Sequence, residues 1–128
     1  MAYTIDLLPV MELSDAFVQP AVDSVQVAMF TDVALQFFQT GLTGAGKVDF
    51  FIEHSVEKDS AAFIDTGIAV SLASSDPTGI IVIPGSQLGA YLRVRVVNSQ
   101  ADPIVIRVVA GMKSVALLDQ RKCSSCAG

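Results

Sequence analysis

The sequence predicts an all-β protein, specifically a two-sheet antiparallel β-sandwich of jelly-roll or Ig-like type with about eight strands. Apolar and polar residues alternate with period two through most of the chain, as expected for strands with one buried face. Clusters of Gly, Pro, Asp, Asn and Ser separate these segments, and no convincing amphipathic helix is present. Strands spaced in this way are typical of sandwiches and closed barrels. The 128 residues suit a single domain.

The ends of the chain differ from its middle. Tyr3, Ile5 and Leu7 alternate, but Pro9 and Pro20 interrupt the pattern that follows them. We therefore expect residues 1–21 to form an irregular N-terminal arm, residues 22–112 to form the core, and residues 113–128 to form a C-terminal tail.

The strands of the core are predicted from runs of alternating apolar residues. In chain order, the residues that share one face of a strand are Val25, Val27 and Met29; Val33, Leu35 and Phe37; Val48, Phe50, Ile52 and His54; Leu92, Val94 and Val96; and Ile104, Ile106 and Val108. Residues 63–72 are expected to contain one or two short strands around Gly67, and residues 80–83 to form a short, fully apolar strand.

Residues 41–47 have the glycine spacing of a phosphate-binding loop up to its lysine. The next residue, Val48, stands where that motif needs a hydroxyl for magnesium. The segment that follows alternates as a strand, whereas a phosphate-binding loop opens a helix. We interpret residues 41–47 as a hairpin turn, so no nucleotide cofactor is expected.

The sequence shows no catalytic machinery. His54 is the only histidine, and its strand phase predicts a partly buried structural side chain. Asp49 and Glu53 lie roughly 13 Å apart along one strand face, too far for a paired-carboxylate glycosidase site. We therefore expect a protein that is not an enzyme and has no cofactor.

Composition predicts that part of the surface is covered by another protein. Hydrophobic residues make up 52% of the chain and charged residues 16%, against about 25% charged residues in an ordinary soluble domain. One small core cannot hide that much apolar surface, and exposed apolar patches usually mark interfaces. The net charge of -5 disfavours nucleic acid as a partner.

No apolar run approaches the ~18 residues of a membrane helix, so no membrane partner is expected. The first ten residues lack the basic and apolar regions of a secretion signal. We therefore expect synthesis in a cytoplasm.

Two features leave alternatives open. Cys123 and Cys126 form a C-x-x-C near the end of the chain, which is either a mobile tail, a disulfide within or between chains, or half of a metal site shared between subunits. Arg93, Arg95 and Arg107 are expected to line one outer face of a hairpin. There they either pair with Asp49, Glu53 or solvent, or form a docking stripe for an acidic partner.

Three segments together resemble the small β-sandwich virion proteins of tailed bacteriophages, including capsid decoration (cement) proteins. They are residues 48–55, residues 63–67 and residues 91–96. The resemblance implies a non-enzymatic structural subunit located in the virion. Its partners would be the major capsid protein or other virion subunits, and it would form a homo-oligomer.

In this interpretation the ends of the chain act as clamps on the partner. The predicted interface residues are Tyr3, Ile5, Leu7, Leu8, Val10, Phe17, Arg93, Arg95 and Arg107. The alternative function is a carbohydrate- or cell-surface-binding module. The absence of Trp and the presence of only two Tyr make that alternative less favourable.

Overall fold

The computed structural model describes residues 2–113 of the chain. Cys123, Cys126 and the predicted tail beyond Lys113 lie outside these residues. The described part is built almost wholly from strands. They are β1 (Ala2–Leu13), β2 (Ala16–Val18), β3 (Val25–Gln26), β4 (Asp32–Thr40), β5 (Lys47–Ser55), β6 (Ile64–Ala73), β7 (Thr78–Pro84), β8 (Tyr91–Asn98) and β9 (Ile104–Lys113). Short 3₁₀ turns lie at Ala21–Asp23, Ser60–Ala62 and Gly85–Gln87.

The strands form two antiparallel sheets that pack against each other, which confirms the predicted β-sandwich. Sheet A has the strand order β1-β9-β4-β7. Sheet B has the order β2-β8-β5-β6, and β3 pairs with the same edge of β8 as β2 does. Because β2 and β3 share that edge, they act as two pieces of one broken edge strand.

The strand order identifies the sandwich as a jelly roll. Pairs form between β1 and β9, β2 and β8, β4 and β7, and β5 and β6. The second half of the chain therefore runs back along the first half from the β5–β6 connection, and the doubled ribbon is rolled into two sheets. This nesting is the jelly-roll arrangement.

The core lies between the sheets and follows the alternation of the sequence. In β4 every second residue from Val33 to Gln39 is buried, and β5 follows the same rule from Val48 to Ile52. Phe37 and Phe50 meet across the two sheets with ring centroids 4.8 Å apart. Burial of each such side chain contributes roughly 2 kcal/mol. The inward sets predicted for β4, β5, β8 and β9 are confirmed, and His54 is half-buried, as predicted.

The prediction of an irregular N-terminal arm is wrong. Ala2 to Leu13 form an edge strand that pairs with β9 along its length. Its register shifts between Asp6 and Leu8 and again between Leu8 and Met11, so the irregularity around Pro9 is confined to bulges. Proline lacks an N–H, which an edge strand tolerates where that group would face solvent.

A buried asparagine holds the chain where it crosses from sheet A to sheet B. The Asn98 side chain donates to the carbonyl oxygens of Leu13 at 3.2 Å and Asp102 at 3.1 Å. Its backbone N–H donates to the backbone carbonyl oxygen of Asp15 at 2.7 Å. These bonds tie the corner between β1 and β2 to the turn that leads from β8 to β9.

Two smaller segments differ from prediction or refine it. The strand expected through Val25, Val27 and Met29 is only two residues long, and Met29 is exposed. Residues 64–73 form one strand in which Gly67 takes a positive φ of 83°. Residues 41–46 lead from β4 in sheet A to β5 in sheet B, with Gly41 and Gly44 at positive φ. A strand follows this loop, as expected where no phosphate-binding loop is present. The predicted hairpin is wrong, because β4 and β5 do not pair with each other.

Candidate interaction surfaces

The outer face of sheet A is apolar. Its side chains alternate with the buried residues of β4, β7 and β9, so they point away from the core. Ile80 and Val82 are 65% and 63% exposed, and Val82 lies beside Ala34 in the register of the sheet. We call this surface the apolar face; it consists of Ala34, Phe38, Ile80, Val82, Val105 and Val109.

One ion pair neutralises two of the charged residues on this side of sheet A, while Asp32 lies beside Lys113 at one end of the β4–β9 register. Arg107 forms an ion pair with Asp6, with Nη2 2.8 Å from Oδ1. The Arg107 guanidinium also lies 5.6 Å from the ring centroid of Phe38. Glu12 and Lys113 lie at opposite ends of the β1–β9 register. The uncharged Gln36 lies near the centre of the face, between Ile80 and Val109 in the register of the sheet, so the apolar residues surround one polar side chain.

The outer face of sheet B has the opposite character, because a shared carboxylate organises it. Glu53 Oε1 lies 2.8 Å from Arg93 Nε, and Glu53 Oε2 lies 3.5 Å from Arg95 Nε. Arg95 also reaches Asp65 at 3.8 Å. The side chains of Arg93 and Glu53 are only 9% and 13% exposed, so this pair is largely removed from water.

Aromatic rings complete this ionic face. The Arg93 guanidinium lies 4.4 Å from the ring centroid of Phe63, and that of Arg95 lies 4.1 Å from Phe51. Cations in this position are attracted to the ring face. Both arginines are therefore held by partners within their own chain.

The predicted arginine stripe is wrong. β8 and β9 lie in different sheets, so Arg107 is on the opposite outer face from Arg93 and Arg95. The predicted pairing with Glu53 is confirmed for Arg93 and Arg95. Asp49 instead accepts from the hydroxyl of Ser71 and lies 3.8 Å from Lys47.

The predicted N-terminal interface residues divide into two groups. Leu7 and Leu8 are each 2% exposed. They belong to the core, because the first bulge of β1 turns both inward, and with the buried Arg93 they are unsuited to contact a partner. Tyr3, Ile5 and Val10 are exposed and Phe17 is half-buried, so an interface role for these four stays a prediction.

A groove lies beside these N-terminal residues. Its volume is about 350 Å³, and Leu7, Leu8, Met11 and Phe17 line it. The polar side of the groove contains Asp6, Asp23 and Gln19, and the Gln19 amide is already bound within the chain. The groove is therefore largely apolar and runs between β1 and β2.

His54 has a structural hydrogen bond. Its Nδ1 accepts from the backbone N–H of Gly89 at 3.0 Å. The hydroxyl of the adjacent Ser55 accepts from the N–H of Glu57 at 3.0 Å. Both groups lie beside a cavity of about 280 Å³. These contacts fit a structural histidine, and the lack of enzymatic activity stays a prediction.

Within residues 2–113, no group of three or more His, Cys, Asp or Glu side chains is placed to hold a metal ion. The shared-metal alternative for Cys123 and Cys126 falls outside these residues and stays open. Among the described helices, none has the length and apolar character needed to cross a membrane.

Sequence reasoning missed most of the apolar face. Its signal was present, because Val105 and Val109 stand at the outward positions of β9, where polar residues are usual. Ile80 and Val82 give the same signal in β7. When both inward and outward residues of a strand are apolar, both faces of the strand are expected to be covered. In this protein, the chain itself covers only the inner face.

Comparison with known proteins shows the fold. No protein-family model and no curated protein matches the chain. The PBSX exported protein XepA is similar over 88% of this chain and 37% of its own, with a TM-score of 0.60 and 14% identity. The structure of infectious bursal disease virus Gx strain is similar over 90% of this chain and 32% of its own, with a TM-score of 0.52 and 12% identity.

Bacillus endospore appendages, described as disulfide-linked pili, match 89% of this chain and 90% of their own, with a TM-score of 0.50 and 8% identity. The chain therefore spans about a third of the first two proteins. At these identities the likeness shows the fold alone.

Proposed function

We propose that this chain is a non-enzymatic structural subunit of a phage virion, a capsid decoration protein that packs its apolar face onto the shell. The observation that carries the proposal is the asymmetry of the sandwich. Sheet B satisfies its charges with ion pairs within the chain, whereas sheet A presents exposed Ile80 and Val82, with Ala34 beside Val82.

The energetics of burial favour a large protein partner for the apolar face. Apolar area removed from water contributes about 25 cal/mol per Å². A stable interface covers about 800 Å² on each partner, roughly a tenth of the surface of a small protein. Copies joined to one another in a homo-oligomer would add avidity to a modest single contact.

The composition and the resemblance support the same conclusion. The excess of hydrophobic residues required a covering neighbour, and the virion proteins that the sequence resembles bind to a shell of repeating subunits. In this arrangement sheet A faces the shell and the ionic face of sheet B faces solvent. The location would be the virion.

Two matched substitutions test this orientation. Ala34→Lys places a charge in the middle of the apolar face, whereas Ala69→Lys places the same charge on exposed β6 in sheet B. Native particles would be prepared from the source of this sequence, stripped of this chain and mixed with each variant. Co-sedimentation should drop at least about tenfold for Ala34→Lys, since an ammonium group would have to be buried, and remain unchanged for Ala69→Lys.

Particles that lack this chain, or equal binding by both variants, would contradict the proposal. A monomer whose melting temperature rises with one member of a glycan panel would instead favour the carbohydrate-binding alternative. Cryo-electron microscopy of the decorated particle would show directly which sheet faces the shell.

A further inference from the structure

We propose that two copies of this chain join through the free edge of β7, where the strands pair antiparallel about a two-fold axis at Ile80. The pairing would be independent of the shell contact proposed above, because it uses the edge of the strand and leaves the outward side of its residues available. It would join sheet A of one copy to sheet A of the other.

The backbone groups available at this edge follow from the pairing with β4. Gln39 donates to the carbonyl of Pro77, and Gly85 donates to that of Thr31. These bonds lie at the two ends of the β4–β7 register. Because antiparallel pairs alternate between bonded and non-bonded positions, the backbone groups of residues 79, 81 and 83 face β4. Those of Thr78, Ile80 and Val82 face away from it.

No other strand of the described chain pairs with β7. The edge lacks most of the features that usually protect an edge strand: it has no charged side chain and no bulge, and its one proline, Pro84, is its last residue. Residues 78–83 contain only Thr, Gly, Ile and Val. Its register with β4 runs without a shift.

The other edges of the sandwich are protected. β1 has two register shifts and carries Asp6 and Glu12. β6 carries Asp65, whose carboxylate accepts from the N–H of Gly67 at 2.7 Å, and Gly67 has positive φ. The other edge of sheet B consists of β2 and β3, which are only three and two residues long, and very short edge strands give a partner little to pair with. Among the described edges, β7 is therefore the one suited to continue a sheet.

A second copy fits this edge because the strand is complementary to itself. With Ile80 opposite Ile80 of the second copy, Thr78 lies opposite Val82, and each outward N–H meets an outward carbonyl. If the register between the two β7 strands shifts in one direction, Pro84, which has no N–H, lies opposite Thr78. A shift in the other direction brings Asp76 opposite Val82, and the Asp76 N–H already donates to Ala73 at 2.9 Å.

Charge and side chains are also compatible with this pairing. No charged residue lies on β7, and the ion pair of Arg107 with Asp6 is closed within each copy. β-Branched residues would meet across the two-fold axis, a favourable cross-strand combination. The apolar faces of both copies would then form one continuous surface. A closed two-fold contact of this kind is the commonest form of homo-oligomer.

The test compares Ile80→Pro with Ile80→Thr in the full chain, under reducing conditions so that Cys123 and Cys126 cannot link the copies. Proline removes the N–H at the two-fold axis but no bond to β4, since that group faces away from β4. Threonine keeps the N–H and the β-branched shape. By sedimentation equilibrium, the wild type and Ile80→Thr should dimerise, and Ile80→Pro should dimerise at least about tenfold more weakly.

Hydrogen exchange of the wild type decides the matter even if Ile80→Pro does not fold. The amides of Thr78, Ile80 and Val82 should gain protection as the concentration rises, whereas those of Gly79, Ile81 and Ile83 should be protected throughout. If the wild type is a monomer at every soluble concentration, the proposal is overturned. A strand of another protein would then be the candidate to pair with the β7 edge. A dimer unaffected by Ile80→Pro, or outward amides protected in the monomer, would also overturn it.

Discussion

At the scale of single residues, the stability of sheet B depends on one shared carboxylate. Glu53 neutralises Arg93 and Arg95, and Arg93 is buried beneath Phe63. Removing one partner of a buried ion pair costs much more than removing one partner of an exposed pair, because the remaining charge stays in a site poor in water.

We therefore expect Glu53→Gln to lower the free energy of unfolding by about 3 kcal/mol. The control is Asp6→Asn, which breaks the exposed pair with Arg107 and should cost no more than about 0.5 kcal/mol. Urea denaturation followed by circular dichroism measures both values. Equal losses in the two variants would show that the sheet B network is not a stabilising feature.

Gln19 is a second residue whose importance lies in hydrogen bonding. It is 2% exposed, and its amide donates to Leu7 O at 2.6 Å and to Asp23 O at 3.1 Å. Its side-chain oxygen accepts from the N–H of Val94 at 3.1 Å. Gln19 thus provides a hydrogen-bond partner for the backbone of β8 in the gap between β2 and β3, and it links that part of β8 to β1.

Replacing this residue by an apolar one of similar size should leave those backbone groups without partners. We expect Gln19→Leu to destabilise the fold by about 3 kcal/mol, with Gln26→Leu on the exposed end of β3 changing stability by less than about 0.5 kcal/mol. Thermal unfolding by calorimetry compares the two. If Gln19→Leu and the wild type have the same melting temperature, the hydrogen bonds of Gln19 contribute little to stability.

At the scale of elements, the turn between β7 and β8 depends on close backbone packing at Gly85. A Cβ added at this residue would collide with the carbonyl oxygen of Phe30, and the Gly85 N–H donates to Thr31 at 2.5 Å. Backbone cannot move aside as a flexible side chain can. At Gly111, by contrast, the nearest atom to an added Cβ is the Ala34 oxygen at 4.0 Å.

These two glycines form a matched pair for mutation. Gly85→Ala should lower the unfolding free energy by about 2 kcal/mol through steric strain, whereas Gly111→Ala should be neutral or slightly stabilising. The midpoint of guanidinium unfolding reports both. Equal midpoints for the two variants would mean that the turn relaxes around the added methyl group.

The same scale shows how far the sequence predicts this fold. β4, β5, β8 and β9 were predictable because alternation directly reports which face of a strand is buried. β1 was missed because Pro9 and Pro20 suggested a broken segment, yet bulges absorb Pro9 at a sheet edge. Alternation also says nothing about which sheet a strand joins. Consecutive strands usually pair, but β8 and β9 lie in different sheets, and this separates Arg107 from Arg93.

The sequence predicted that an apolar interaction surface exists but not where it lies on the fold. Composition indicated excess apolar surface, but the notion of a clamping arm assigned it to residues near Leu7 and Leu8, which are buried. Its actual position on β4, β7 and β9 follows from tertiary pairing, which brings outward residues from distant parts of the chain side by side. The ion pair of Arg107 with Asp6, residues far apart in sequence, depends on the same pairing.

At the scale of the whole molecule, the two outer faces predict opposite responses to salt. Contact through the apolar face should change little with moderate sodium chloride and strengthen with sodium sulfate, because sulfate favours apolar burial. Contact through the arginines of sheet B would weaken as sodium chloride rises, since screening reduces the attraction between exposed charges. Binding of the wild-type chain to stripped native particles, measured by co-sedimentation in both salts, distinguishes the two faces. The proposed orientation would be contradicted if binding fell steeply with sodium chloride and did not recover in sodium sulfate. That result would assign the contact to sheet B.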